Sequence, residues 1–263
     1  IASWGDHGTS NERWAGGAEN HQKGEGNWSA RKEAALRAYY EWMPVRDPAP
    51  GRAREALFRA FEWGDLLTMT AIETRLLARG EPVIIDDYFD MLRAPGGPEK
   101  FKSEVLNDPA RDMLGEAQLS FVADTLGASK RAGKPWRLIA NQVVMGKVMT
   151  PDMTPHVDEA SLAAIEAVWD GVREFVEVSK YGLPVYPDSW DGYPAAREKL
   201  YARLKGEGVT DMFVITGDAH EFWGNDLIDD AGDKMGIEIG TTSVSSETLA
   251  TFMGDNTAAY ALL

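Results

Sequence analysis

Phe213-Val214-Ile215-Thr216-Gly217-Asp218-Ala219-His220 decides how this chain folds. An apolar, β-branched run bounded by glycine reads as a buried strand. Gly217 lets the backbone turn sharply. Asp218 and His220 then stand just past the strand's carboxyl end, which in layered α/β folds faces the ligand cleft. Working outward, Pro194 suits a first helical turn, and Ala196, Leu200 and Leu204 carry an apolar stripe to Gly206. Met235 to Val244 reads as another strand, and so does Trp136 to Val144. Before it, Leu119, Val122, Ala123 and Leu126 form the stripe of a helix over 116–127, with Gly127 near its end. Asp158 is placed to cap a helix running to about Lys180, with Leu162, Ile165, Trp169, Val172 and Val176 inward.

Toward the amino end, residues 57–61 and 67–72 read as two strands joined by the turn Trp63-Gly64-Asp65. Residues 29–43 form a helix with Ala35, Leu36, Tyr39, Tyr40 and Met43 on one face, ended by Pro44. The stretch 90–115, with Pro95-Gly96-Gly97-Pro98, reads as a connection with little regular structure. Hairpin-like pairs mixed with strand–helix alternation favour an α/β fold, with helices layered on sheets of both strand orientations.

The 263 residues suffice for one large domain or two small ones. Forty-two acidic against 27 basic side chains give a net charge of −15, which repels polyanions and argues against non-specific binding to nucleic acid or anionic membrane. No run of about 18 apolar residues marks a membrane span. The absence of cysteine removes disulfides, a thiol nucleophile and thiolate metal ligands. The chain opens without Met on an apparent buried strand, Ile1-Ala2-Ser3-Trp4, and ends on Ala258-Ala259-Tyr260-Ala261-Leu262-Leu263. It therefore reads as one domain over 1–263 that is incomplete at both ends. No signal peptide is visible. Residues 5–27 form a long polar loop of the kind that carries function.

The four histidines are His7, His21, His156 and His220. Asp6-His7 repeats the setting of Asp218-Ala219-His220, directly after an apolar strand. Carboxylate and imidazole are usual ligands for a divalent or trivalent metal. Such an ion lowers the pKa of bound water to about 7 and supplies a hydroxide nucleophile without serine or cysteine. His21 and His156 lack that setting and read as structural or solvated. Trp136 on a strand and Trp169 on a helix face read as core rather than as a sugar platform. The chain has no Gly-x-Ser-x-Gly elbow, no phosphate loop and no dinucleotide fingerprint.

The motifs, taken in order, resemble those of the PhoD-type alkaline phosphatases and phosphodiesterases, relatives of the purple acid phosphatases. The resemblance rests on Trp4-Gly5-Asp6-His7-Gly8 with Asn11-Glu12, on Arg31-Lys32 through Ala38-Tyr39 and Glu41 to Trp42-Met43-Pro44-Val45-Arg46, and on Phe61-Glu62-Trp63-Gly64-Asp65-Leu66. It continues through Trp190-Asp191-Gly192-Tyr193-Pro194, Thr216-Gly217-Asp218-Ala219-His220 and Thr242-Ser243-Val244-Ser245-Ser246, and runs from residue 1 to about 250.

The resemblance implies a metallophosphatase-like sandwich of four layers, two facing mixed β-sheets flanked by helices. It implies metal-dependent hydrolysis of phosphate mono- or diesters on a small phosphorylated substrate. Asp6, Asn11, Asp218 and His220 match metal ligands, with Asp218 as ligand or orienter, and His7 matches the residue at the phosphate or leaving oxygen. The implied cofactor is a di- or trinuclear centre of iron with calcium or a related combination. The implied location is periplasmic or extracellular. Gly5 and Gly8 replace two of the family's carboxylates, and its cysteine ligand, Gly-Asp-x-x-Tyr motif and tyrosine ligand lie upstream of the match. The alternative is therefore a catalytically incomplete module of the same fold. Arg46 and Arg75 are candidates to clamp phosphate or to be salt-bridged within the fold. Segments 76–115 and 146–190 are expected as lids or rims around the cleft.

Overall fold

Alternation of apolar side chains in short strands, between longer helical stripes, builds one mixed sheet. The computed structural model describes residues 9–167, 169–244 and 246–248. The expected strand over 1–4, with Asp6 and His7, lies outside the described residues. The strands are β1 (Arg59–Trp63), β2 (Leu67–Ala71), β3 (Trp136–Ala140), β4 (Met212–Thr216), β5 (Trp223–Ile228) and β6 (Lys234–Gly240), in the order β1-β2-β3-β4-β6-β5. β2, β3, β4 and β6 are mutually parallel, and β1 and β5 are antiparallel edges. The chain is thus α/β with both strand orientations, as expected. Among the described residues the strands form this single sheet, and the second, facing sheet is not among them.

One face of the sheet carries the core. Helices α4 (Glu116–Arg131) and α7 (Pro194–Gly206) pack against it and against each other. Leu119, Val122 and Leu126 of α4 meet Ile139, Val214, Leu200 and Leu204 in one apolar cluster. α4 outruns its expected end. Gly127 lies inside it because Glu207 packs there, leaving no room for a Cβ, and the chain stops instead at Ala132 and Gly133, whose φ is +73°.

Among the described residues the opposite face is buried at Met69 and Ala71 of β2 and carries exposed apolar side chains toward its other strands. Register places Trp63 and Trp136 on it in one row, and Leu138, Phe213 and Ile237 in the next. Trp63 is 46% exposed, Trp136 50% and Ile237 37%. Trp136 stacks edge-on against Phe213 but is not core, which corrects the expectation for it.

Helix α1 (Trp28–Trp42) begins where Asn27 accepts the Ala30 N–H. The stretch 90–115 is more helical than expected. α2 (Phe89–Arg93), α3 (Gly97–Lys100) and a π-helical stretch Phe101–Leu106 occupy it, because Pro98 falls in a first helical turn, where its missing N–H costs nothing. The expected helix 158–180 is two helices, α5 (Glu159–Glu166) and α6 (Val172–Ser179), and Gly171 stands directly before the second. Asp158 caps α5 by accepting the Ser161 N–H. β5 was not legible as a strand, since Gly224, Asn225 and Asp226 interrupt its apolar pattern. No helix among the described residues is long and apolar enough to cross a membrane.

Candidate active site

The parallel strands deliver their carboxyl ends to one side of the sheet, the position where α/β folds bind ligands. Glu73 to Arg75 follow β2, Asn141 and Gln142 follow β3, and Asp218 to His220 follow β4. Glu73, almost fully buried, accepts the backbone N–H groups of Arg75, Leu76 and Leu77 at 2.8–2.9 Å and so shapes the turn that carries Arg75. Gln142 Oε1 accepts the Thr74 hydroxyl at 2.8 Å and joins that turn to the end of β3.

Arg75 is the hub. Its side chain is fully buried and donates to Asp188 at 2.7 and 2.9 Å and to Asp218 Oδ2 at 2.9 Å. Arg79 also donates to the Asp188 carboxylate, and to its carbonyl at 2.5 Å. Arg75 is therefore salt-bridged within the fold, while Arg46 stands on the exposed surface. A guanidinium held between two carboxylates fixes both, which few other side chains do at this geometry.

Asp218 (φ 78°) and His220 (φ 62°) both adopt the left-handed region, sparsely used by residues with a side chain. His220 Nδ1 lies 2.7 Å from the Glu247 carbonyl. Donation there makes Nε2 the lone-pair nitrogen, the disposition second-shell partners give to metal-binding imidazoles. His21 accepts a hydrogen bond from Arg31 at Nδ1 (3.1 Å) and packs on Trp28, and His156 is exposed, so neither joins the site.

Asn11 sits on the long loop, bonded through Nδ2 to the Glu19 carboxylate. Glu19 and Glu12 line a cleft of about 380 Å³ together with Asp188. Residues 82–89 and 169–188 supply its walls, from the two segments expected as rims. Burial first, then repulsion from Asp188 and Glu19, push the Glu12 carboxyl up to about 7 against the pull of Arg75 and Arg79. Trp169 is part of the cleft wall and 37% exposed, which corrects its expected core placement.

The structure thus joins Asp218 to Asp188 through Arg75, and Asn11 to the cleft through Glu19. Asp6 and His7 lie outside the described residues. Among the described residues no group of three or more His, Asp or Glu side chains is arranged to hold a metal. Of the expected ligands among the described residues, His220 has its Nδ1 at the Glu247 carbonyl and Asp218 is engaged by Arg75.

Sequence reasoning missed Glu12 and Asp188. Glu12 directly follows Asn11 in a quoted motif, and Asp188 stands two residues before Trp190-Asp191-Gly192-Tyr193, so both lay within reach of a signal. That motif proves architectural. Trp190 Nε1–H donates to Asn141 at 3.3 Å, Asp191 pairs with Arg197 at 2.6 Å, and the Tyr193 hydroxyl donates to the Gly80 carbonyl at 2.7 Å. The Phe61–Leu66 motif forms the β1–β2 turn, at the opposite end of β2 from the site.

Three comparisons bear on this arrangement. The family model described as PhoD-like phosphatase matches residues 1–261. Alkaline phosphatase D of Bacillus subtilis (strain 168) is 27% identical over 252 residues, covering 94% of this chain and 36% of that protein. A solved structure described as "Structure of PhoD" is similar with a TM-score of 0.64 and 25% identity, over 94% of this chain and 40% of that one. The chain spans less than half the length of these relatives. With a family match across nearly its whole length and motifs in the same order, the chain belongs to the PhoD-like phosphatase family.

Proposed function

We propose that this protein is a phosphoric ester hydrolase that cleaves phosphate mono- or diesters of small molecules with the help of bound metal. The observation that carries this reading is His220, past the end of a central parallel strand with Nδ1 committed to the Glu247 carbonyl and Nε2 left to coordinate. Asp6, Asn11 and Asp218 complete the proposed ligand set, with Asp218 acting as ligand or as orienter. When bound, the metal supplies positive charge for the phosphate oxygens and lowers the pKa of water. The family resemblance favours iron with calcium and a periplasmic or extracellular location.

The chain's own residues have separate tasks. Arg75 holds Asp218 in place through its 2.9 Å bond and keeps Asp188 from repelling it. His7 is proposed to give a proton to the departing alcohol oxygen. The cleft receives the organic part of the ester.

A second reading has one observation behind it: the described residues do not by themselves gather three metal-ligating side chains. On that reading the chain is a module of the family fold that does not hydrolyse esters alone. Metal analysis, with turnover of a chromogenic phosphomonoester and phosphodiester, separates the two. Activity lost to chelator and restored by metal supports the first reading, as does lowered metal content in His220→Ala. Chelator-insensitive turnover, or loss of activity in His220→Ala with metal content unchanged, overturns the proposed mechanism. A metal-free, inactive wild type leaves the module.

A further inference from the structure

The cleft beside Asp188 has a chemistry that the cleavage reaction alone does not require. Its walls include the rings of Phe89, Trp169, Phe175 and Tyr186. Trp169 and Phe175 pack at 5.1 Å between centroids and 49° between planes, an arrangement that leaves ring area available to a guest. The ionisable groups that line it among the described residues are Glu12, Glu19, Asp86, Asp188 and the Tyr186 phenol, with no Lys, Arg or His. Arg75 and Arg79 neutralise Asp188, and the carboxylates of Glu19 and Asp86 leave an excess of negative charge beside an apolar, aromatic wall. A phosphate or carboxylate is repelled here, and a wholly apolar group would waste the carboxylates. Aromatic faces together with carboxylates attract a soft, alkylated organic cation.

The cleft is also linked to the strand-end residues by two contacts. Its lining residue Asp188 shares Arg75 with Asp218, and its Tyr186 ring stands edge-on to Trp223, three residues after His220, at 6.5 Å. Its volume suits a small organic group.

On the reading that the chain acts on phosphate esters, we infer that this cleft binds the alcohol side of the substrate and selects alcohols that carry an alkylated ammonium group. Charge complementarity and ring contact then favour such esters over neutral or anionic ones of equal size. The phosphate stays at the strand ends, and the cation lies among the rings and carboxylates that line the cleft.

The test is a binding measurement independent of turnover. Choline and its uncharged carbon isostere 3,3-dimethylbutan-1-ol are titrated against the full chain by ligand-observed NMR, with 3,3-dimethylbutanoate as the anionic probe. Choline is expected to bind about tenfold more tightly than the isostere, which corresponds to ~1.4 kcal/mol, and the anion more weakly than either. Asp86→Asn and Trp169→Ala should each reduce that preference while leaving affinity for the neutral alcohol nearly unchanged in Asp86→Asn. Equal affinity of choline and isostere overturns the inference, and so does a preference that survives both substitutions. A chain that prefers choline but hydrolyses no phosphoester keeps this inference and loses the catalytic reading. The converse result does the reverse.

Discussion

Arg75 shows how much one side chain decides here. It is fully buried, and two carboxylates depend on it. Arg75→Ala leaves Asp188 and Asp218 facing each other with less compensating charge, and should cost about 3–5 kcal/mol. Urea unfolding measures this. An additional Asp188→Asn should recover part of the loss, since one of the stranded charges is then gone. At this scale the sequence placed two candidate residues, past the end of β4. Asp218 and His220 were legible because strand, glycine, Asp and His are consecutive. Asp188 was not, because its partner Arg75 lies more than a hundred positions away, and only folding makes them neighbours. Glu12 was not, because what makes it unusual is burial beside other carboxylates.

Elements with a long, regular stripe were readable. α1, α4, α7 and β4 stand within a few residues of their expected bounds. Elements whose signal was interrupted were not: β5 is broken by Gly224, and α2 and α3 were hidden by Pro95 to Pro98. Gly192 marks a close approach that no pattern reveals. A Cβ there would come 1.8 Å from the Pro187 carbonyl oxygen, beside the Asp188 that Arg75 holds. Gly192→Ala should therefore destabilise by about 2 kcal/mol or more, whereas Gly206→Ala, with open space at the end of α7, should be neutral or stabilise by up to about 1 kcal/mol. Thermal melts of the two variants make the comparison.

The tie between β3 and the entry to β4 gives a pH signature. Arg137 grips Asp211 with two bonds of 2.7 Å, and Lys130 adds a third at 2.6 Å. Burial alone would raise the Asp211 carboxyl, but these hydrogen bonds outweigh it and hold the group below its ordinary value of 3.8. A depressed folded pKa means that the contribution is complete above that value and fades as pH falls through the lower, folded one. Because the Asp211 side chain is 41% exposed, screening keeps the effect near 1 kcal/mol. Asp211→Asn should show that deficit at pH 7 and approach wild type as the medium becomes strongly acidic.

At the scale of the whole molecule, a charge of −15 is combined with a sheet that, among the described residues, exposes large apolar side chains on one face. In dilute buffer the charge keeps copies apart, and at 0.1 M ionic strength its reach falls to about 10 Å. Sulfate both screens that repulsion and strengthens the burial of apolar surface. Trp63, Trp136, Ile215 and Ile237, on β1, β3, β4 and β6, offer such surface on one face of the sheet. Ammonium sulfate should therefore precipitate this acidic chain early. The double variant Trp136→Lys, Ile237→Lys should stay in solution to a higher concentration although it is less highly charged, the outcome expected if exposed apolar side chains on the sheet weigh more in salting-out than the isoelectric point does.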